Sequence, residues 1–199
     1  MTNINRIPWN GAKMVSVGNG DYQVQTNALP DMDVSDAPTG CCPRFDPAGW
    51  DGRKLHFENK LFVRATTQSL LHVPLNMGKV FTRVQGHIED AGAQDPDGYL
   101  VLSRDLSATE SEHFFAVSDP VQDEEMTTLS GDFITRIFEG PHRKTGDWMH
   151  EMEVAAKASG HRVDRVFMFY TTCPKCARAY GANYVVGIAQ LDQRSELEA

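Results

Sequence analysis

The sequence predicts an α+β fold of two βαββ units, and three observations lead there. Between residues 59 and 191 the order strand, helix, strand, strand is legible twice. Each predicted helix shows one apolar face and ends on residues that stop helices. The first 58 residues lack such periodicity and are crowded with Gly, Pro, Asn and Asp, which form turns. Two such units can share one curved antiparallel sheet with both helices on one face, leaving the opposite face as a ligand cleft.

Taken in order, residues 1–58 read as a loop-rich wrap, with a short strand at Tyr22–Thr26 and "CCPRFDPAGW" as the most distinctive stretch. The first unit spans 59–119. Leu61–Thr66 alternates as a strand, and Leu75–Ala91 puts Val80, Phe81, Val84, Ile88 and Ala91 on one helical face, with Pro74 in its first turn. Tyr99–Ser103 and His113–Ser118 follow as strands joined by a polar, acidic loop. The second unit spans 125–191. Met126–Phe138 is a long strand with a bulge expected at Gly131, and the Gly140-Pro141 turn starts a helix that Gly160 ends. Trp148, Met149, Met152, Ala155 and Ala156 share a face of that helix. Val166–Tyr170 and Tyr184–Leu191 close the unit, and 192–199 is a tail. The halves share element order without evident sequence identity, so duplication is inferred from topology alone.

Composition sets the class. At 199 residues with 41% hydrophobic content, the chain can bury one proper core. Its 19 basic residues are scattered among 27 acidic ones, a net charge of −8, which argues against nucleic acid as a partner. No apolar stretch approaches the roughly 18 residues of a membrane span, and Met1–Asn10 has no secretory pattern. The expectation is a cytoplasmic protein that meets no membrane, with monomer and homodimer both open. A phosphate-cradling glycine loop, a GxSxG elbow and a zinc-protease histidine pair are all missing from the sequence.

The four cysteines fall in two pairs, Cys41-Cys42 and the CPKC of Cys173 and Cys176. Two thiolates presented from one tight turn supply half of a tetrahedral zinc site. Cys41 and Cys42 are the candidates for the other half, although neighbouring side chains diverge in an extended chain and Pro43 must turn it. Structural zinc is therefore the expected cofactor, with no organic cofactor. Two alternatives stay open: a redox pair, for which a helix ending before Gly181 is short, and inert packing of small apolar side chains.

The stretch "GDFITRIFEGPHRKTGDWMHEMEVAAKASGHRVDRVFMFYTTC" with "NYVVGIAQL" resembles the second half of GyrI-like small-molecule-binding domains. The likeness covers roughly residues 60–191 and is centred on "FEGPH" and its helix. The "CCP" and "TTCPKC" motifs resemble a free-standing subgroup labelled hydrolase. In the family a ligand sits between the two βαββ units, and some free-standing members are similar to hydrolases that open cyclopropane-containing natural products. This chain departs at His142, where tyrosine is usual, and in lacking an acidic residue within Tyr184–Leu191.

From these come the site expectations. Glu139, at the end of the long strand, is the carboxylate that activates water or binds a cation, with His142 and His72 as proton partners. Trp148, Tyr170, Tyr184, Phe114 and Asn76 are expected around the ligand, although the core reading is favoured for Trp148. Pseudo-symmetry sets His72 and Asn76 across the cleft from Glu139 and His142. The first functional expectation is a hydrolase adding water to a small, partly apolar, reactive compound. A non-catalytic binder and a cysteine-based metal or redox factor are the alternatives.

Overall fold

Strands form where apolar residues alternate, and here the alternation sorts the core into two layers. The computed structural model describes residues 25–71, 73–96, 98–158 and 160–192. The elements run β1 (Lys54–Leu70), β2 (Val73–Pro74), α1 (Met77–Ala91), β3 (Val101–Ser107), β4 (Glu110–Ala116) and β5 (Glu125–Glu139). A 3₁₀ turn, His142–Lys144, leads into α2 (Thr145–Ala158), then β6 (Val163–Tyr170), α3 (Pro174–Tyr180) and β7 (Tyr184–Leu191). The fold is mixed α+β, with antiparallel strands in the order β2-β1-β4-β3-β6-β7-β5 and a further pairing of β1 with β5.

One face of the sheet carries α1 and α2. Val63, Val101 and Phe115 pack with Val84 and Ile88 of α1; Ile134, Phe138, Met168 and Val185 pack with Trp148, Met152 and Ala156 of α2. The other face carries Phe57, Phe62, Phe114, Phe133, Phe167, Phe169, Val186 and Ile188. The mixed α+β composition and the antiparallel sheet are as the sequence predicts.

The second layer differs from expectation. The face read as an open cleft is filled: Phe45 and Trp50, from the segment before β1, are buried against it at 7% and 0% exposure. Burying each large apolar side chain stabilises by roughly 1.5–3 kcal/mol, so this segment has its own reason to lie there. Phe114, expected at the ligand, is a core residue on this face, edge-on to Phe62 and Phe167.

Smaller differences have local causes. β1 begins at Lys54, inside the segment read as wrap, because Leu55 and Phe57 already alternate toward the core. The bulge lies in β1 rather than at Gly131: pairing jumps from Phe57–Gly131 to Lys60–Leu129, and Asn59 has φ 50 with its N–H on Ser130 Oγ at 2.8 Å. The extra residue flips the alternation, so Phe57 and Phe62 reach the same core from odd and even positions. Pro74 belongs to β2, and α1 starts after Asn76. Of the expected Tyr22–Thr26 strand, Thr26 makes a single bridge to His56, and residues 22–24 lie outside the described residues.

Candidate metal centre and the Glu139 pocket

The TTCPKC motif folds as its residues dictate. Cys173 is extended (φ −74, ψ 161), Pro174 occupies the first helical position where its missing N–H costs nothing, and Gly181 ends α3 at φ 74. Cys173 and Cys176 thus straddle the first turn of α3. On the facing segment, Gly40 turns the chain at φ 64 and delivers both Cys41 and Cys42. All four Sγ atoms lie within 4.8 Å of one another.

Supporting contacts hold this arrangement. Thr39 Oγ1 is 3.1 Å from Cys176 Sγ and 2.9 Å from the Tyr180 hydroxyl, which donates to the Cys42 carbonyl at 2.6 Å. The Cys173 N–H donates to Cys42 Sγ at 3.3 Å, and Arg44 lies over the Tyr180 ring. Cys176 is buried, Cys42 and Cys173 half-buried, and Cys41 exposed.

These contacts set the thiol chemistry. The Thr39 hydroxyl, the Cys42 N–H and the neighbouring thiols hold Cys176 down at about 6, against the opposing pull of burial. Burial pushes Cys42 far up. The Cys42 contact favours a Cys41 thiolate, but burial and the other cysteines outweigh it and the shift is upward. Cys176 therefore loses its proton more readily than Cys41 or Cys42. A tetrahedral zinc with bonds of about 2.3 Å separates its sulfurs by roughly 3.8 Å. Cys41 and Cys42 Sγ are already 3.7 Å apart, so the donor set fits with small closure.

A second feature adjoins it. A shallow, solvent-open depression of ≈ 380 Å³ is lined by Glu139, Gly140 and Pro141 and by Arg178, Ala182 and Asn183. Glu139 is exposed at the end of β5 opposite Tyr184. Asn183 cross-links these two segments, its amide donating to the Gly140 carbonyl at 2.6 Å while the Gly140 N–H donates to the Asn183 carbonyl at 3.0 Å. Gly140 has φ 142, and a Cβ there would sit 3.4 Å from the Trp148 ring, so this tight turn suits glycine.

The remaining expected residues scatter. His142 is half-buried with its ring 5.6 Å from Tyr170, outside the hollow's lining; burial lowers its pKa while its bond to the Thr172 backbone opposes that. Tyr170 reaches Thr145 Oγ1 at 3.4 Å, and burial raises its pKa. Trp148 stacks on Phe138 at 5.4 Å and 15° as a core residue. Tyr184 packs on Phe45. Asn76 accepts the Gln68 N–H at 2.8 Å, tying β1 to the start of α1. His72 lies outside the described residues. Sequence reasoning missed Arg178, Asn183, Thr39 and Tyr180. Of these only Tyr180 carried a signal, one helical turn after Cys176.

A family model described as "Bacterial hydrolase" matches residues 32–191, which agrees with the hydrolase-labelled subgroup that the cysteine motifs resemble. No curated protein matches the chain. A solved structure, SAV2435 bound to tetraphenylphosphonium, is similar over 72% of this chain and 95% of its own, with 14% identity and a TM-score of 0.46. Among the described residues no helix is long and apolar enough to cross a membrane.

Proposed function

Because this chain belongs to the bacterial hydrolase family, we propose that it binds a small electrophilic molecule at the Glu139 hollow and adds water to it. The observation that carries the reading is a carboxylate and an arginine lining one hollow in a chain of that family. Glu139 takes a proton from water as the water oxygen bonds the electrophilic carbon. Arg178 stabilises the charge on the departing heteroatom, which then takes the proton from Glu139. His142, bonded to the Thr172 backbone, is a positioning residue for the turn that presents Glu139. The twofold strand, helix, strand, strand order is compatible with two βαββ units, of which the second bears the site.

The cysteines are read as a structural zinc site. Four thiolates complete a tetrahedron and leave no position for substrate. The metal would hold α3, which contributes Arg178 to the hollow. Thiols kept for metal suit a reducing cytoplasm. Elemental analysis of the purified chain should find one zinc per chain.

The enzymatic test is water addition, followed by mass, to a panel of small esters, lactones and strained-ring compounds. Wild type should convert at least one member, and Glu139→Gln should lose roughly 100-fold or more in turnover while still binding it. Binding with no product from either protein would make this a sequestering protein. Full turnover by Glu139→Gln would remove Glu139 from the chemistry.

A further inference from the structure

Residues 28–49 form a strap across the aromatic face of the sheet, without a helix or strand of their own. Both ends are tied to strands. At one end the Asn27 N–H donates to the His56 carbonyl at 2.8 Å and its side chain pairs with the Glu58 backbone. At the other, the Thr135 hydroxyl donates to the Trp50 carbonyl, the Gly52 N–H to the Thr135 carbonyl at 3.0 Å, and the Ile137 N–H to Asp51 at 2.9 Å. The middle of the strap is held to α3 at the cysteine cluster.

Three residues past Cys42, Phe45 drops into the aromatic face, 6.3 Å from Phe169, 6.1 Å from Tyr184 and 5.8 Å from Trp50 between ring centres. Trp50 is wholly buried, yet among the described residues its indole N–H has no hydrogen-bond partner. Buried donors are normally satisfied, so an unpaired one is a desolvation cost that a guest with an acceptor atom would relieve. Trp50 is also anchored to β5 through its own backbone, so it stays on the sheet if the strap lifts.

We propose that metal occupancy of the cysteine cluster sets the strap: with metal bound, Phe45 stoppers a site floored by Trp50, Phe169 and Tyr184, and loss of metal admits a flat aromatic guest bearing a hydrogen-bond acceptor. This rests on the reading of the cysteines as a metal site and is independent of turnover at Glu139. A metal would be the strongest tie in the middle of the strap, added to the hydrogen bonds that Tyr180 makes with Thr39 and the Cys42 carbonyl and to the burial of Phe45. Phe45 is the stopper because it lies on the strap side of the Trp50 anchor and touches the floor directly.

The test uses the full chain, zinc-loaded or chelated under reducing conditions, with 1-anilinonaphthalene-8-sulfonate as the probe and trypsin as a second readout. Arg44 is the sole basic residue in 28–49 and is exposed, so cleavage after it reports strap lifting. The metal-free chain, with far-UV circular dichroism unchanged, should bind the probe and be cut after Arg44 roughly tenfold faster than the zinc form, and added zinc should reverse both. Phe45→Ala with zinc bound should take up the probe without faster cleavage. Equal probe binding and cleavage in both metal states, or no probe binding by zinc-loaded Phe45→Ala, would overturn the proposal. A chain that takes up no zinc overturns the metal reading itself, and Phe45→Ala alone then reports whether the site beneath the strap exists. If chelation unfolds the chain, the strap is not a switch and the proposal fails.

Discussion

Beneath α1 the sheet presents a histidine; beneath α2 it presents a phenylalanine, Phe138, on which the helix's own Trp148 stacks. His113, 1% exposed, has Nε2 2.9 Å from Thr67 Oγ1 and Nδ1 2.9 Å from Ser103 Oγ, with the Phe81 ring edge-on at 4.9 Å. Trp148 is stacked on Phe138, while Met152 lies over Gly187 so closely that there is no room for a side chain. The same element order thus carries a hydrogen-bonded histidine within the apolar layer of one half and a wholly apolar, tightly packed contact in the other. Only the second half has α3, and with it the CPKC cysteines and the Glu139 hollow. The difference teaches that a shared scaffold leaves each half free in its chemistry, provided that a buried histidine such as His113 finds partners for both ring nitrogens.

The comparison can be tested where the apolar layer is heaviest. Trp148→Ala should cost about 3–5 kcal/mol in denaturant unfolding, the range for truncating a buried aromatic ring. Val84→Ala under α1 removes two methyl groups and should cost about 2 kcal/mol, at roughly 0.8 kcal/mol per group plus a small cavity. Equal losses would mean that the two layers do not differ in packing.

Acid should single out the buried histidine. Burial depresses the His113 pKa to about 4, although Asp105 and Glu112 pull it upward, whereas in the unfolded chain it titrates near 6.5. The unfolded state therefore binds the extra proton first. Stability contributed by neutral His113 is complete above pH 6.5 and falls as pH drops toward 4, by roughly 3 kcal/mol. Denaturation midpoints between pH 7 and 4 should show this slope in wild type and a flatter one in His113→Gln. Coincident slopes would place the acid sensitivity elsewhere.

The smallest effects should differ in sign between the halves. A Cβ at Gly187 would meet Phe138 at 2.8 Å and Met152 at 2.9 Å, so Gly187→Ala should destabilise by about 1–3 kcal/mol. A Cβ at Gly86, inside α1, meets nothing within 4 Å, and Gly86→Ala should stabilise by up to about 1 kcal/mol. Thermal melts of the two variants should move in opposite directions.

What the sequence determined by itself was local. Tyr184–Leu191 reads as a strand and is one, because apolar residues on both faces need no distant partner to be recognised. The helix over Trp148, Met152 and Ala156 was legible from its 3.6-residue spacing. The CPKC turn was legible as a device for presenting two thiols from one short turn. Only the tertiary structure decided that Cys41 and Cys42 both meet that turn, that β1 closes on β5, and that Phe45 and Trp50 fill the face expected to be open. A period of 2 or 3.6 residues is written into neighbours along the chain. Which apolar surface covers which is settled by competition among segments over a hundred residues apart, as Thr39 and Cys176 are, and no local pattern records its outcome.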